Sequence, residues 1–216
     1  MISVVFDMDG VLFDTQKVYC QTWIEVAEIL GIKDMDEPAF YCIGRNRKDQ
    51  EEILNRYYPQ GFPFDEFYRL KNEVFDAHIE KDGVPLKAGT REILEYLKSI
   101  NAKIAIASSS RIDVIEHHLA ETGLSGMFDR IIGGNMVEHS KPSPDIYLKA
   151  CSELGVKSED TFAVEDSYNG VRAAVAAGMK AIMIPDVQPP TEEFDKVIFA
   201  RFESLRELQK YFEGLC

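Results

Sequence analysis

The chain has 216 residues, 45 % of them hydrophobic and 28 % charged, a composition that fits a globular protein able to bury its core without disulfides. Its formal net charge of −13 argues against a nucleic-acid surface, which needs a basic patch. The same charge repels anions at long range, so any anion site here has to be made locally positive by a metal, a lysine or helix N-termini. No stretch approaches the ~20 apolar residues of a membrane span. The start, Met1-Ile2-Ser3-Val4-Val5-Phe6, lacks a basic segment and ends its apolar run at Asp7, so no signal peptide and no membrane partner are expected, and the expected location is the cytoplasm. Cys20, Cys42, Cys151 and Cys216 form no CxxC pair and read as free thiols of a reducing compartment.

The first predicted element is a buried strand at Ser3–Phe6. It runs into Asp7-Met8-Asp9-Gly10-Val11-Leu12-Phe13-Asp14-Thr15. No convincing strand follows until about residue 82. Helical patterns cover residues 16–30, 47–57 and 64–80, with Phe62, Phe64, Phe67, Tyr68 and Phe75 as candidate core. Residues 15–82 are therefore expected to form a helical cap domain, inserted into a core of residues 1–14 and 83–216. The connections fall near residues 14–16 and 81–87, where Gly83 and Pro85 mark the second.

A strand and helix alternation then sets in. Ile93, Leu94, Leu97 and Ile100 have helical spacing over residues 90–100. A strand is predicted at 103–107 and a helix at 113–122, closed by Gly123. After a strand at 130–132, Ser143-Pro144 opens the next helix. A strand at 161–164, an Ala-rich helix at 169–177 ending at Gly178, and strands at 180–184 and 197–200 complete the chain. The predicted class is α/β: a Rossmann-like, doubly wound parallel sheet core with an inserted helical cap.

Four strand ends carry chemistry. Asp7 and Asp9 follow an apolar strand, and two such carboxylates are costly to bury unless paired or metal-bound. Ser108-Ser109-Ser110-Arg111 ends another strand and opens a helix, where hydroxyls and backbone N–H groups suit a phosphate oxygen. Lys141 precedes Pro142 in a loop. Phe162-Ala163-Val164 delivers Glu165-Asp166-Ser167. Each alone also reads blandly, as helix caps or a solvated lysine. Together they place two carboxylates, a hydroxyl, a cation and two more carboxylates at one edge of a parallel sheet, where such sheets bind ligands.

With these residues in view, the chain resembles the haloacid dehalogenase superfamily. Its four motifs match Asp7-x-Asp9, Ser108, Lys141 and Glu165-Asp166. The stretch Glu165-Asp166-Ser167-x-x-Gly170-Val171-x-Ala173-Ala174 is close to the usual fourth motif. The helical insertion after the first motif looks like the cap of the beta-phosphoglucomutase and phosphatase branch. The resemblance implies that Asp7 is the nucleophile, passing through an aspartyl phosphate. Asp9 is then general acid and base, its proton held by an environment that lifts its pKa. Lys141 pairs with Asp7 and the phosphoryl group, and Ser108 binds a phosphoryl oxygen. The implied cofactor is Mg²⁺, on the Asp7 carboxylate, the Asp9 backbone carbonyl and Asp166, with Glu165 a less regular or outer ligand.

The cap is expected to choose the substrate. Gly44-x-x-Arg47 resembles the mutase cap segment whose arginine holds a distal phosphate, Lys71 resembles a cap lysine of the mutases, and Ser110 and Arg111 resemble core residues that contact a substrate phosphate or hydroxyl; Ser109 is a further substrate-binding candidate. Two positions depart from the mutases: Tyr19 stands where they carry a histidine, and Ile43 where they carry a lysine. Tyrosine is a poor substitute for a titrating imidazole. The favoured expectation is a phosphatase for small, sugar-phosphate-like monoesters. The alternatives are a beta-phosphoglucomutase-like mutase and a binding module that has lost catalysis. Dehalogenation does not need the acidic fourth motif. The expected partner is a small phosphorylated metabolite, and a monomer is expected because the cap must open and close.

Overall fold

The computed structural model describes residues 2–45 and 47–215; the expected thiol of Cys216 lies outside them. Strands β1 (Ser3–Phe6), β2 (Lys103–Ser108), β3 (Arg130–Gly133), β4 (Phe162–Glu165), β5 (Lys180–Met183) and β6 (Ala200–Arg201) form one parallel sheet in the order β3-β2-β1-β4-β5-β6. The chain fills one side of β1 first and then the other. Strand order thus reverses between β1 and β4, the place where an open α/β sheet leaves a crevice at its carboxyl end.

The two faces of the sheet differ in side-chain size, and the alternation within each strand sets the difference. Val4, Phe6, Ile104, Ile106, Val164 and Ile182 face one layer and pack on helices α5 (Thr90–Ser99), α6 (Ile112–Glu121) and α10 (Leu205–Glu213). Val5, Ala105, Ala107, Ala163 and Ala181 face the other and pack on α7 (Asp145–Leu154) and α8 (Tyr168–Ala176). The alanines let α7 and α8 lie close against the sheet.

Between β1 and α5 run α1 (Thr15–Ile29), α2 (Asp36–Cys42), α3 (Arg47–Tyr57) and α4 (Phe64–Asp82). Trp23, Val26, Leu54, Phe64 and Phe67 give them a separate core, to which Phe62 and Tyr68 add. Phe75 differs from its expected place: it packs against the sheet's larger-residue layer and meets the Tyr19 ring at 6.2 Å. The two connections of the insertion lie side by side, for Asp14 N–H donates to the Pro85 carbonyl and Lys87 N–H to that of Leu12.

The remaining differences are local. Helix α7 begins at Asp145, after an N-cap at Pro144, because the Ser143 hydroxyl is turned onto the Asp145 carboxylate at 2.5 Å. The last strand is shorter and later than residues 197–200. Helix α9 (Glu192–Asp195) and its closing turn hold Val197 and Ile198 on the Phe194 carbonyl. Helices α2, α9 and α10 were outside the predicted set. No described helix is long and apolar enough to cross a membrane, and Cys20, Cys42 and Cys151 are free thiols.

Candidate active site

Asp7 is the first residue after β1, and its N–H donates to the Val164 carbonyl at 2.9 Å. That bond continues the β1–β4 ladder and places Asp7 beside Glu165 and Asp166 at the end of β4. The chain then folds back tightly: Leu12 and Phe13 N–H both donate to the Met8 carbonyl, and Gly10 N–H donates to that of Phe13. Gly10 has φ +87°, and a Cβ there would lie 2.2 Å from Asp166 Oδ2. Only glycine meets both demands.

Lys141 arrives on the loop after β3 and is 2 % exposed. Its Nζ donates to Asp7 Oδ1 and Glu165 Oε1, each at 2.5 Å, and to the Ala107 carbonyl at 3.0 Å. All three ammonium donors are thus used. Glu165 is fully buried, and its other contacts also come from inside the core. Tyr147 Oη on α7 donates to Oε1 at 2.6 Å, and Ser167 Oγ donates to Oε2 at 3.2 Å. The carboxylate lies directly over Gly170, where a Cβ would come within 1.9 Å of it.

Asp166 contrasts with Glu165. It is 2 % exposed, and its Oδ2 is buried with no hydrogen-bond partner among the described residues. One oxygen each of Asp7, Glu165 and Asp166 come within 4.8 Å of one another. Burial pushes the Asp7 carboxyl up to about 8, with Glu165 and Asp9 adding to the rise and Lys141 opposing it. Burial also pushes Asp166 well above the carboxylate range, joined by the charges of Asp7, Glu165 and Asp186. One lysine does not neutralise three buried carboxylates. The orphaned Asp166 oxygen and the all-oxygen donor set fit a hard divalent cation.

Asp9 is held from two sides: Thr15 Oγ1 donates to its Oδ1 at 2.5 Å, and Ser110 Oγ to its Oδ2 at 3.1 Å. Ser108, at the end of β2, is 1 % exposed, and its Oγ accepts from Ser110 N–H at 3.0 Å. Hydrogen bonds thus join Asp9, Ser110 and Ser108 in one set and Asp7, Lys141 and Glu165 in another, with Asp166 beside the second, all following the carboxyl ends of β1, β2 and β4 or the loop after β3. Ser109 turns toward the insertion, its Oγ 3.5 Å from the Gly44 carbonyl. Arg111 points elsewhere: it is exposed and pairs with Asp113.

The insertion residues also divide. Lys71 is 3 % exposed, and among the described residues its Nζ contacts neutral groups: the Tyr19 hydroxyl at 3.2 Å and the Tyr19 and Tyr68 rings. Among the described residues no carboxylate forms an ion pair with it, and burial holds its pKa down at about 8. Tyr19 Oη also accepts from Gln50 Nε2 at 3.2 Å. Arg47 lies over the Phe64 and Tyr68 rings and pairs with the exposed Asp65 at 2.5 Å.

Sequence reasoning missed Tyr147 and the Asp9 donor Thr15. Tyr147 carried a signal, since Ile146, Tyr147, Ala150, Cys151 and Leu154 mark the buried face of α7 and a buried tyrosine needs a partner for its hydroxyl. Thr15 gave none beyond its place in the first motif.

Three comparisons bear on this site. A family model described as haloacid dehalogenase-like hydrolase matches residues 4–184. The chain is 32 % identical over 186 residues to the phosphorylated carbohydrates phosphatase of Thermotoga maritima, covering 84 % of each chain. It is 30 % identical over 206 residues to protein CbbY of Cereibacter sphaeroides, covering 89 % of this chain and 87 % of that one. Among solved structures, a CbbY mutant from Rhodobacter sphaeroides in complex with xylulose-(1,5)bisphosphate superposes with a TM-score of 0.79 at 28 % identity, over 96 % of each chain.

Proposed function

We propose a specific reaction for this chain, which belongs to the haloacid dehalogenase-like hydrolase family and is a phosphohydrolase: Mg²⁺-dependent hydrolysis of small, sugar-phosphate-like monoesters through an aspartyl phosphate on Asp7. The observation that carries it is the buried Asp7–Lys141–Asp166 arrangement at the carboxyl ends of β1 and β4. The names of the phosphatase relative and of the bisphosphate complex support the substrate class. In this reading helices α1–α4 (residues 15–82) are a cap over a core of residues 1–14 and 83–216, and the protein works as a monomer.

Asp7 attacks phosphorus, and the bond to the ester oxygen breaks. Asp9, held by Thr15 and Ser110, gives its proton to the leaving oxygen. It then takes a proton from the water that attacks phosphorus, which releases phosphate and regenerates Asp7. Ser108 Oγ donates to a phosphoryl oxygen, and Lys141 keeps Asp7 in line while countering charge on the transferring group. The Asp7 carboxylate, the Asp9 backbone carbonyl and Asp166 would hold Mg²⁺. When bound, the ion supplies positive charge to the phosphoryl oxygens and lets Asp7 and Asp166 stay ionised side by side. Glu165 has both oxygens engaged by Lys141, Tyr147 and Ser167, so its role here is to position Lys141.

The cap favours hydrolysis over a mutase reaction. Tyr19, at the mutase histidine position, is fixed by Gln50 and Lys71. Arg47 is tied to Asp65, and Ile43 is 1 % exposed. Lys71 has no ion-paired carboxylate among the described residues and is suited to a second anionic group on the substrate.

The test is a panel assay with Mg²⁺. It compares phosphate release from sugar phosphates and nucleotides with isomerisation of beta-glucose 1-phosphate to glucose 6-phosphate. The expected result is phosphate release, fastest on sugar phosphates. Isomerisation outrunning release would replace the phosphatase by a mutase, and no turnover on any ester would leave a binding module.

A further inference from the structure

Helix α2 ends at Cys42, and its last carbonyls need donors that its own chain does not fully supply. Arg45 N–H takes the Cys42 carbonyl. The Phe40 carbonyl takes the Ile43 N–H at 3.4 Å, and the carbonyls of Phe40 and Ile43 each also face a side-chain amide from across the seam between insertion and core. Asn169 Nδ2 donates to the Ile43 carbonyl at 3.0 Å, and Gln188 Nε2 lies 3.5 Å from that of Phe40. Both amides are buried, at 5 % and 4 % exposure. Neither is placed by chance. Asn169 sits in the first turn of α8, three residues after Asp166. Gln188 lies on the loop after β5, and its Oε1 accepts the Tyr168 N–H that starts α8, at 2.7 Å.

The backbone of the same segment approaches closely enough to make these bonds. A Cβ on Gly44 would lie 3.3 Å from Ser167 Oγ and 3.7 Å from Asn169 Cβ. The Phe40 ring packs edge-on against Tyr168. Ile43, whose carbonyl takes the Asn169 amide, is 1 % exposed.

We propose that Asn169 and Gln188 are positioning residues, a two-amide clasp that holds the cap segment 40–44 shut against the loop carrying Asp166. Opening the cap breaks both bonds and returns two carbonyls and two amides to water, so each bond contributes the modest net value of an ordinary hydrogen bond to the closed state. Because Asn169 and Tyr168 belong to the turn that follows Asp166, closure and the geometry of the acidic cluster are set by the same residues. This goes beyond the phosphatase reading, and only the kinetic half of its test rests on that reading.

The test uses Asn169→Ala and Gln188→Ala, singly and together. Asn169→Ala removes the donor without adding charge beside Asp166, and alanine is a good helix former in α8. A role confined to building α8 therefore predicts no change in residues 36–45. The clasp predicts that amide hydrogen exchange in residues 36–45 speeds up by roughly 5-fold in each variant and further in the double variant, with exchange in α8 and the sheet little changed. It also predicts a rise in KM for a sugar phosphate by a similar factor, since only the closed fraction binds productively. Unchanged exchange in residues 36–45 overturns the clasp. So does a uniform increase through α8 and the sheet with a fall in Tm. A protein with no phosphatase activity would sink the proposed reaction, while the exchange comparison would still decide the clasp.

Discussion

Glu165 and Asp166 are neighbours with opposite environments, and the difference is a matter of donors. Glu165 is surrounded by an ammonium and two hydroxyls, whereas Asp166 Oδ2 has no partner among the described residues. A fully satisfied buried carboxylate acts as a fixed post. The post is fitted against Gly170, so Gly170→Ala should push Glu165 off Lys141. The expected loss is at least about 2 kcal/mol in denaturant unfolding, with turnover falling at least about tenfold. Normal stability and turnover in that variant would show that Glu165 is not positioning Lys141. Tyr147→Phe removes one donor and keeps the packing. It should cost about 1–2 kcal/mol and change turnover by no more than a few-fold.

Lys71 gives a pH prediction of its own. Its folded pKa is depressed to about 8 from 10.5, so between these values the unfolded chain binds more protons. Stability must then rise with pH across that window and be lost again as pH falls through about 8. Lys71→Met should raise Tm at pH 7, and the gain should shrink toward pH 10. A Tm difference independent of pH would mean that the lysine is not held as a strained cation.

At the scale of elements, the site is assembled by the sheet. Parallel pairing brings the ends of β1, β2 and β4 to one edge, and the alanine face of the sheet lets α7 approach until Tyr147 reaches Glu165. Most of this was legible in the sequence. Short β-branched runs ending in acids or serines have few other physical readings once they repeat. Helix α10 was missed although it carries a local signal, Ser204 followed three residues later by Glu207, whose N–H the Ser204 hydroxyl accepts. What could not be read were contacts between distant segments. Nothing local distinguishes Arg111, paired with its neighbour Asp113, from Ser110, which reaches Asp9 across 101 positions. The same holds for the linker cluster. Lys87 bridges Asp14 and the buried Asp186, at 3.3 and 2.6 Å, and so ties both connections of the insertion to the loop after β5. Lys87→Ala should destabilise by about 2–4 kcal/mol, since it strips the main partner from a buried carboxylate. Asp14→Ala, which leaves Lys87 on Asp186, should cost far less. Equal effects in the two variants would argue against that hierarchy.

For the whole molecule, a net charge of −13 and a buried acidic cluster point to the same requirement for a cation. Without one, Asp7 and Asp166 keep protons that the unfolded chain has already released above about pH 4. The sign follows: metal-free stability should fall as pH rises from about 4 toward 8, through the raised pKa of Asp7. Mg²⁺ should release those protons on binding and raise Tm more at pH 8 than at pH 5. Asp166→Asn should abolish most of that shift. An equal Mg²⁺ effect at both pH values, or one that survives in Asp166→Asn, would place the ion elsewhere.

The central claim is that Asp7 itself receives the phosphoryl group. A rapid acid quench during a single turnover, with a sugar phosphate labelled on phosphorus and Mg²⁺ present, tests it most directly. The account predicts label transiently bound to the peptide that contains Asp7, released by base, and absent in an Asp7→Asn protein that folds normally and has lost at least about a thousandfold in turnover. Phosphate appearing with no protein-bound label, while Asp7→Asn still turns over, would contradict it.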